Sequence, residues 1–202
     1  MAPSPRHTAR ATRATGRTTR AALVAAAAAR FRERGLGGAS IADIAAEAGC
    51  FPSQVTYYFG DKETLFVEAA CGELLGLRGA VETAARRAGT PDGAVRAMVD
   101  AALSSPAIPM FADAMLLARR RADLQPVVGE AFEALHSRAE QGAASILQSH
   151  HWRMPAGPAT QSRAFWSTII GVALEKAAVG DAFDRAAAIE TVRAVLSLSE
   201  DP

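Results

Sequence analysis

The chain has 202 residues, 50% of them hydrophobic and 21% charged, and this composition excludes collagen-like, mucin-like and fully disordered proteins. The net charge of +1 is unevenly distributed, since residues 1–62 carry nine basic and four acidic side chains and the remainder 13 and 17. This asymmetry is typical of a polyanion-binding module attached to a neutral or acidic regulatory body. Alanine recurs throughout and loses no side-chain entropy in a helix, so we expect an all-α protein.

The first 17 residues are basic, and we expect a disordered arm because Pro3, Pro5 and Gly16 disfavour a stable isolated helix. Five arginines recur at intervals of four, three, four and three residues, which places them on one face of any helix formed there: Arg6, Arg10, Arg13, Arg17 and Arg20. Two interpretations stay open. The arm follows DNA phosphates or enters a minor groove, or it is a solvated leader without a binding role.

An Arg-rich start followed by the apolar run 21–29 is similar to a targeting peptide. The run leads into the charged sequence 30–35, however, which is typical of a helix end with glycine at the stop. The two cysteines, Cys50 and Cys71, lie in patterned apolar segments and do not indicate a disulfide framework. No run approaches the roughly twenty apolar residues that span a bilayer, so we expect a cytoplasmic protein without a membrane partner.

Helical periodicity dominates the chain, and no strand pattern of useful length is present. Thr18 or Thr19 is expected to cap a first helix that ends at Arg34, before Gly35. Further helices are expected at 41–48 and 52–59, from Asp61 onward, and at 92–104, 107–121, 125–149, 159–179 and 184–198. The prediction is therefore about nine helices in three parts: the arm 1–17, a three-helix domain 18–66 and a helical domain 67–202.

The strongest signal is a helix-turn-helix motif carried by Ala45, Gly49 and Val55. The alanine permits a close crossing of two helices, the glycine can adopt a positive φ in the turn, and the valine locks the second helix against the first. The intervals of four and six residues between them match the requirement of the motif.

The second helix of this motif begins at Pro52 and is expected to place Phe51, Val55 and Phe59 on its inward side. Its outward side is polar, neutral and mostly short: Pro52, Ser53, Thr56 and Tyr57, with Gln54 at the edge. Such a face suits base edges and phosphates and is poorly suited to a hydrophobic partner.

The chemistry of this face predicts individual DNA contacts. Gln54 can pair bidentately with adenine, and Thr56 can touch a thymine methyl. Phosphates are the expected partners of the other contact residues: Ser53, Tyr57, Tyr58 and Lys62. The alternative for the tyrosines is a packing role, and the alternative for Gln54 is a solvent-facing position.

Residues 23–66 contain the segments LVAAAAARFRERG, ASIADIAAEAG and QVTYYFGDKETLF. In these segments the chain resembles the DNA-binding domain of the TetR/AcrR family of bacterial one-component regulators. The resemblance implies DNA contacts at Ser40, Ser53, Gln54, Thr56, Tyr57, Tyr58 and Lys62, and Ser40 is also the expected N-cap of its helix. The chain departs from the family at Phe51, where a small polar cap is usual, and at Thr56, where tyrosine is usual.

The remainder of the chain has amphipathic helices but no catalytic or phosphate-binding motif, so we expect neither an enzyme nor a cofactor or metal. The resemblance implies an effector pocket, whose expected walls are soft and aromatic side chains: Met98, Met110, Phe111, Met115, Phe132, His136 and Trp166. It also implies a homodimer through the last two helices: Phe165, Ile169, Ile170, Ala173, Ile189, Val192 and Leu196. The alternative for both sets is ordinary core.

The resemblance thus implies a ligand-responsive, sequence-specific transcriptional regulator, by family default a repressor, that binds a palindromic operator as a homodimer. Its expected partners are double-stranded DNA, a largely apolar small-molecule effector and a second copy of the chain, in the bacterial cytoplasm at the nucleoid. The alternative is a helical protein-interaction module without specific DNA binding. The polar face of residues 52–57 and the basic N-terminal segment argue against that alternative.

Overall fold

The structure is a computed structural model that describes residues 5–200, with side chains from residue 16 onward. Nine α-helices lie within these residues: α1 (Pro5–Gly38), α2 (Ile41–Glu47), α3 (Pro52–Phe59), α4 (Lys62–Arg87), α5 (Pro91–Leu103), α6 (Ala107–Arg120), α7 (Gln125–His150), α8 (Gly157–Val179) and α9 (Arg185–Leu196). The all-α prediction is confirmed. By contact density the chain divides into two compact units, Met1–Ala70 and Cys71–Pro202.

The first unit is built on a small apolar core between its helices. Leu23 of α1, Ile44 of α2 and Val55 of α3 are fully buried. The ring of Phe31 meets that of Phe66 edge to face, with centroids 5.1 Å apart, a favourable geometry for aromatic pairs. An ion pair between Arg30 Nε and Glu47 Oε2, at 2.5 Å, also joins α1 to α2.

Helix α1 begins at Pro5, earlier than the expected caps Thr18 and Thr19. Proline is tolerated at the first helical position because the N–H that it lacks has no intrahelical partner there, and the alanines and arginines that follow favour helix. The helical backbone is broken at Gly35, with φ 64° and ψ 178°, so the main helix ends after Arg34 as predicted. The side chains of the arm arginines at positions 6, 10 and 13 lie outside the described residues.

The second unit contains α5 to α9, whose ends differ by at most two residues from the expected ranges. Large apolar side chains of four helices are fully buried in it: Phe111, Leu135, Ile169 and Ile189. Ion pairs join α5 to α9, since Arg193 pairs with Asp92 and Arg185 Nε donates to Asp100 Oδ1 at 2.9 Å. The hydrogen bond from Arg96, helped by Arg193, holds the pKa of Asp92 below its ordinary value.

A short antiparallel pair of strands is a feature of the second unit that the sequence pattern does not predict. Strand β1 (Trp152–Arg153) pairs with β2 (Ser199–Glu200), and two residues are too few to show an alternating pattern. The buried Gln161 lies close by, where Oε1 accepts from the Ala156 N–H at 3.0 Å and Nε2 donates to the Val195 carbonyl at 3.2 Å. The chain that follows α7 is therefore hydrogen-bonded to the end of α9.

Within residues 5–200, no single helix is long and apolar enough to cross a bilayer. Only the consecutive helices α5 and α6, taken together and bent by 59° at their junction, pass the same test of length and composition.

Gly49 has a φ of 64° with open space around its missing side chain, so replacement by alanine tests backbone conformation alone. We expect Gly49→Ala to lower the free energy of unfolding by about 1 kcal/mol, because residues with a β-carbon are disfavoured at positive φ. Urea unfolding followed by circular dichroism measures the change. The matched control is Gly37→Ala, which lies in the same unit, in open space and at an ordinary φ; an equal loss in both variants would contradict the argument.

Candidate functional site

The turn between α2 and α3 has the geometry that the helix-turn-helix prediction requires. The Cys50 N–H donates to the Ala45 carbonyl at 2.8 Å, and the Gly49 N–H donates to the Ala46 carbonyl at 3.1 Å. Ala45 and Val55 are both 0% exposed. Ala45 and Val55 are therefore both covered where the two short helices pack together.

Helix α3 presents a continuous exposed face on the side opposite its buried residues. Val55 and Phe59 are buried, whereas the outward residues of the prediction are exposed: Pro52, Ser53, Thr56 and Tyr57. The Tyr57 side chain is 81% exposed, and its ring lies edge-on to that of Tyr58 with centroids 5.0 Å apart. This face offers hydroxyl groups and one aromatic ring to a partner.

The sequence pattern predicted that Phe51 lies on the inward side of α3. This prediction is wrong, because the Phe51 side chain is 77% exposed. It is the N-cap of α3, with an extended backbone at φ −89° and ψ 145°. The helical repeat that groups Val55 and Phe59 begins only at Pro52. A residue in front of that repeat does not share its inward direction, and this is why the sequence pattern misplaced Phe51.

Gln54 has a structural role in the free protein. Its Oε1 accepts a hydrogen bond from the Phe51 N–H at 3.0 Å, which is the reciprocal half of a capping box. Bidentate pairing with adenine needs both the oxygen and the nitrogen of the amide. The predicted adenine contact therefore competes with the cap of α3.

Ser40 and Lys62 also take part in the fold. Ser40 Oγ accepts from the Asp43 N–H at 3.0 Å and so caps α2, and Lys62 Nζ donates to the Ala39 carbonyl at 3.0 Å. At the start of α4, Asp61 Oδ1 accepts from the Thr64 N–H at 2.7 Å. A carboxylate therefore lies at the helix N-terminus where a phosphate was predicted, and its negative charge weakens the attraction for a phosphate there.

Tyr58 and Arg20 lie closer to the body of the unit than the sequence suggests. Tyr58 is half-buried, and a β-carbon on Gly16 would lie 3.4 Å from its hydroxyl. Arg20 pairs with Glu68, and its guanidinium carbon lies 4.9 Å from the centre of the Phe59 ring. Arg17, the one arginine of the arm whose side chain is described, is exposed.

Two family models match the chain. The model of bacterial regulatory proteins of the tetR family matches residues 23–69, and the model of a bacterial transcriptional repressor C-terminal domain matches residues 93–196, which is more than half of the chain. The chain belongs to the TetR family of bacterial transcriptional regulators. The sequence resemblance is thereby confirmed, with the DNA-binding helix-turn-helix that it implied.

Solved structures of other TetR-like proteins share the fold. A Rhodococcus sp. RHA1 protein assigned as a transcriptional regulator is 37% identical, with a TM-score of 0.77 over 89% of this chain and 95% of that one. A TetR-family regulator from Mesorhizobium loti MAFF303099 is 18% identical, with a TM-score of 0.63 over 90% and 95%. The multidrug binding protein EbrR, complexed with proflavin, is 19% identical, with a TM-score of 0.56 over 88% and 99%. No curated protein matches.

The side chains expected to line one effector pocket of this TetR-family chain lie in three places. Met98 and Trp166 line an apolar cavity of about 50 Å³, whose other walls include Val81, Ile146, Trp152 and Phe165. Phe132 and His136 line an open groove of about 1180 Å³ between α7 and α8. The remaining three line neither the cavity nor this groove: Met110, Phe111 and Met115.

This distribution differs from the single pocket expected from the sequence. Met110 and Phe111 are buried in the core, and the Phe111 ring packs edge to face on that of Phe132 at 5.1 Å. Burial, helped by the positive charge of Arg163, lowers the pKa of His136. Trp152 and Met154 were missed as cavity residues, because they follow the end of α7 and belong to no helical pattern.

The residues expected at the dimer interface are mostly buried within a single chain. Six of the seven are buried within a single chain: Phe165, Ile169, Ala173, Ile189, Val192 and Leu196. Only Ile170 retains partial exposure. Side chains already covered in one protomer cannot supply the surface that meets a second protomer, so these residues form core, as in the alternative interpretation.

His150 and His151 are adjacent at the end of α7, and each has a structural role there. His150 Nε2 lies 3.1 Å from the Arg86 carbonyl oxygen, and its ring stacks on Trp152 at 4.3 Å. His151 adopts the left-handed conformation that ends α7. Among the described residues, no three histidine, cysteine or acidic side chains come together as a metal site.

The hydrogen bond from the Phe51 N–H to Gln54 predicts an effect of Gln54 on stability without DNA. We expect Gln54→Ala to lower the free energy of unfolding by about 0.5–1 kcal/mol, because an N-terminal donor of α3 loses its partner. Gln54→Glu is the matched control, since a glutamate oxygen accepts the same bond. Urea midpoints measure both, and a Gln54→Ala midpoint equal to that of the wild type would contradict the capping role.

Proposed function

We propose that this TetR-family regulator is a ligand-responsive repressor that binds a palindromic operator as a homodimer. The observation that carries the DNA part of the proposal is the exposed face of α3, where Ser53, Thr56 and Tyr57 lie opposite the buried Val55 and Phe59. In a helix-turn-helix the second helix enters the major groove. The hydroxyl groups of this face are suitable donors and acceptors for phosphates and base edges.

The charge of the N-terminal segment also supports DNA as the partner. The segment 1–62 holds nine basic residues against four acidic ones, and a basic segment attracts the phosphate backbone. Two acidic side chains of this segment, Glu47 and Asp43, are paired with Arg30 and Arg34. In the proposal, the arm of residues 1–17 adds phosphate contacts to those of domain 18–66.

The homodimer is proposed to form through the outer faces of α8 and α9, not through their buried residues. These outer faces carry mostly small exposed side chains: Ser167, Gly171, Leu174 and Ala178 on α8, and Ala187, Thr191 and Ala194 on α9. Small residues allow two helices to approach closely. A two-fold dimer supplies two recognition helices, which read a palindrome with greater specificity than one short helix.

The effector is proposed to be largely apolar and to bind in the cavity beside Met98, Trp152 and Trp166. EbrR, which shares the fold, has been crystallised with proflavin and with imidazole. A cavity of about 50 Å³ is far smaller than the roughly 300–1,000 Å³ typical of ligand sites. Binding therefore requires the lining side chains to move outward, and a ligand that prefers one of two dimer states shifts the population towards it.

The DNA proposal is tested by incubating the full chain with a pool of random duplexes and sequencing those retained in a gel shift. We expect a palindrome whose half-sites are separated by about one helical turn or a multiple of it. A pool that remains random after repeated selection would contradict the proposal. On the selected duplex, we expect Tyr57→Ala to weaken binding about tenfold, whereas Leu116→Ala, a second exposed apolar residue, leaves affinity unchanged.

The dimer proposal is tested by Gly171→Arg, which places a long charged side chain on the outer face of α8. Gly171 is an exposed helical glycine with open space around it, so the fold of one chain tolerates the change. We expect a monomer in sedimentation velocity at micromolar concentration, where the wild type is a dimer. The control is Gly129→Arg, an equally open glycine on α7, which should remain dimeric; a wild-type monomer would refute the interface.

A further inference from the structure

Phe51 is the single phenylalanine that the fold leaves exposed. The chain has eight phenylalanines, all of them within the residues whose side chains are described. Two are half-buried, and five are buried: Phe31, Phe59, Phe66, Phe111 and Phe165. Phe51, at 77% exposed, and Tyr57, at 81%, are the most exposed large apolar side chains of this region, and both belong to α3 or its cap.

The local fold does not require a phenylalanine at this position. Phe51 is the N-cap of α3, a position that favours serine, threonine, asparagine or aspartate because their oxygens accept a backbone N–H. The Phe51 side chain makes no such bond. Its own N–H is satisfied by Gln54, an arrangement that depends on the backbone of residue 51 and not on its ring. The aromatic ring thus serves neither the cap nor the core.

The position of the ring points to duplex DNA as its partner. Phe51 adjoins Pro52 and Ser53, which are also exposed, at the N-terminal end of the helix proposed to enter the major groove. The N-terminal residues of a recognition helix are those that contact base edges. Among the base edges of the major groove, the C5-methyl group of thymine is the apolar feature.

We propose that Phe51 is a specificity-determining residue that packs on a thymine methyl group in each half-site of the operator. The proposal rests on the DNA-binding function proposed above. A phenyl ring cannot hydrogen-bond to a base edge, so it discriminates thymine from the other bases by contact with the methyl alone. The operator is therefore expected to carry a thymine where the start of α3 meets the groove.

Deoxyuridine tests this contact directly, because it lacks only the methyl group and keeps every hydrogen-bonding group of thymine. Each thymine of a duplex selected from the random pool is replaced in turn, symmetrically in both half-sites, and affinity is measured at fixed salt. We expect one symmetric replacement to weaken wild-type binding about fifteenfold, or about fourfold per half-site, from the loss of one buried methyl in each.

The protein variant that completes the test is Phe51→Ser, which supplies a favoured N-cap and so preserves α3. This variant is expected to bind equally well to the selected duplex and to the duplex that carries deoxyuridine at the sensitive position. Thr56→Ser is the matched control, because it removes the other methyl group proposed to touch thymine. In Thr56→Ser, replacing the thymine assigned to Phe51 by deoxyuridine should still weaken binding.

Several results would overturn the proposal, and they separate failure of the ring contact from failure of DNA binding. If Phe51→Ser keeps the wild-type sensitivity at every thymine, or if no replacement affects the wild type, the ring does not read a methyl although DNA binding stands. If the wild-type chain enriches no sequence from the pool, both this proposal and the proposed function fail. A selected operator without any thymine in its half-sites would also contradict it.

Discussion

The burial of Val55 and Phe59 is the constraint on which the candidate interface depends. Helix α3 has only eight residues, and so short a helix has little stability of its own in water. Its rotation is therefore set by which side chains it buries against its neighbours. Once Val55 is covered, the period of the helix directs Ser53, Thr56 and Tyr57 away from the core. The tight turn at Gly49 makes this possible, because it brings α3 onto α2 at the point where Ala45 leaves space.

Residues around this interface divide into those that also hold the fold and those that do not. Gln54, Ser40 and Lys62 each make a hydrogen bond to the backbone in the free chain, so their substitution changes stability together with any effect on DNA. Tyr57 and Phe51 are largely exposed, and their substitution reports on a partner more directly. A loss of binding therefore has a clear meaning only when the free energy of unfolding is measured for the same variant.

The second unit shows how one helix serves two surfaces. Helix α8 buries Phe165, Trp166 and Ile169 on one side and exposes Gly171 and Leu174 on another. The buried side chains form the core of a single chain, whereas Gly171 and Leu174 lie on the face through which we propose that the homodimer forms. The same packing leaves only a small cavity beside Trp166, so the effector binding that we propose requires the lining side chains to move outward.

Local sequence information determined the helices and the motif. Glycine, proline and capping residues placed the ends of α5 to α9 within two residues, and the spacing of Ala45, Gly49 and Val55 predicted the helix-turn-helix, because these signals act within a few neighbouring residues. Only the structure showed that Phe51 is exposed and that Gln54 caps its own helix, although both features are local to the start of α3. Tertiary packing alone decided that the apolar residues of α8 and α9 are core. Periodicity shows which face of a helix is apolar, but what covers that face depends on helices far away in the chain.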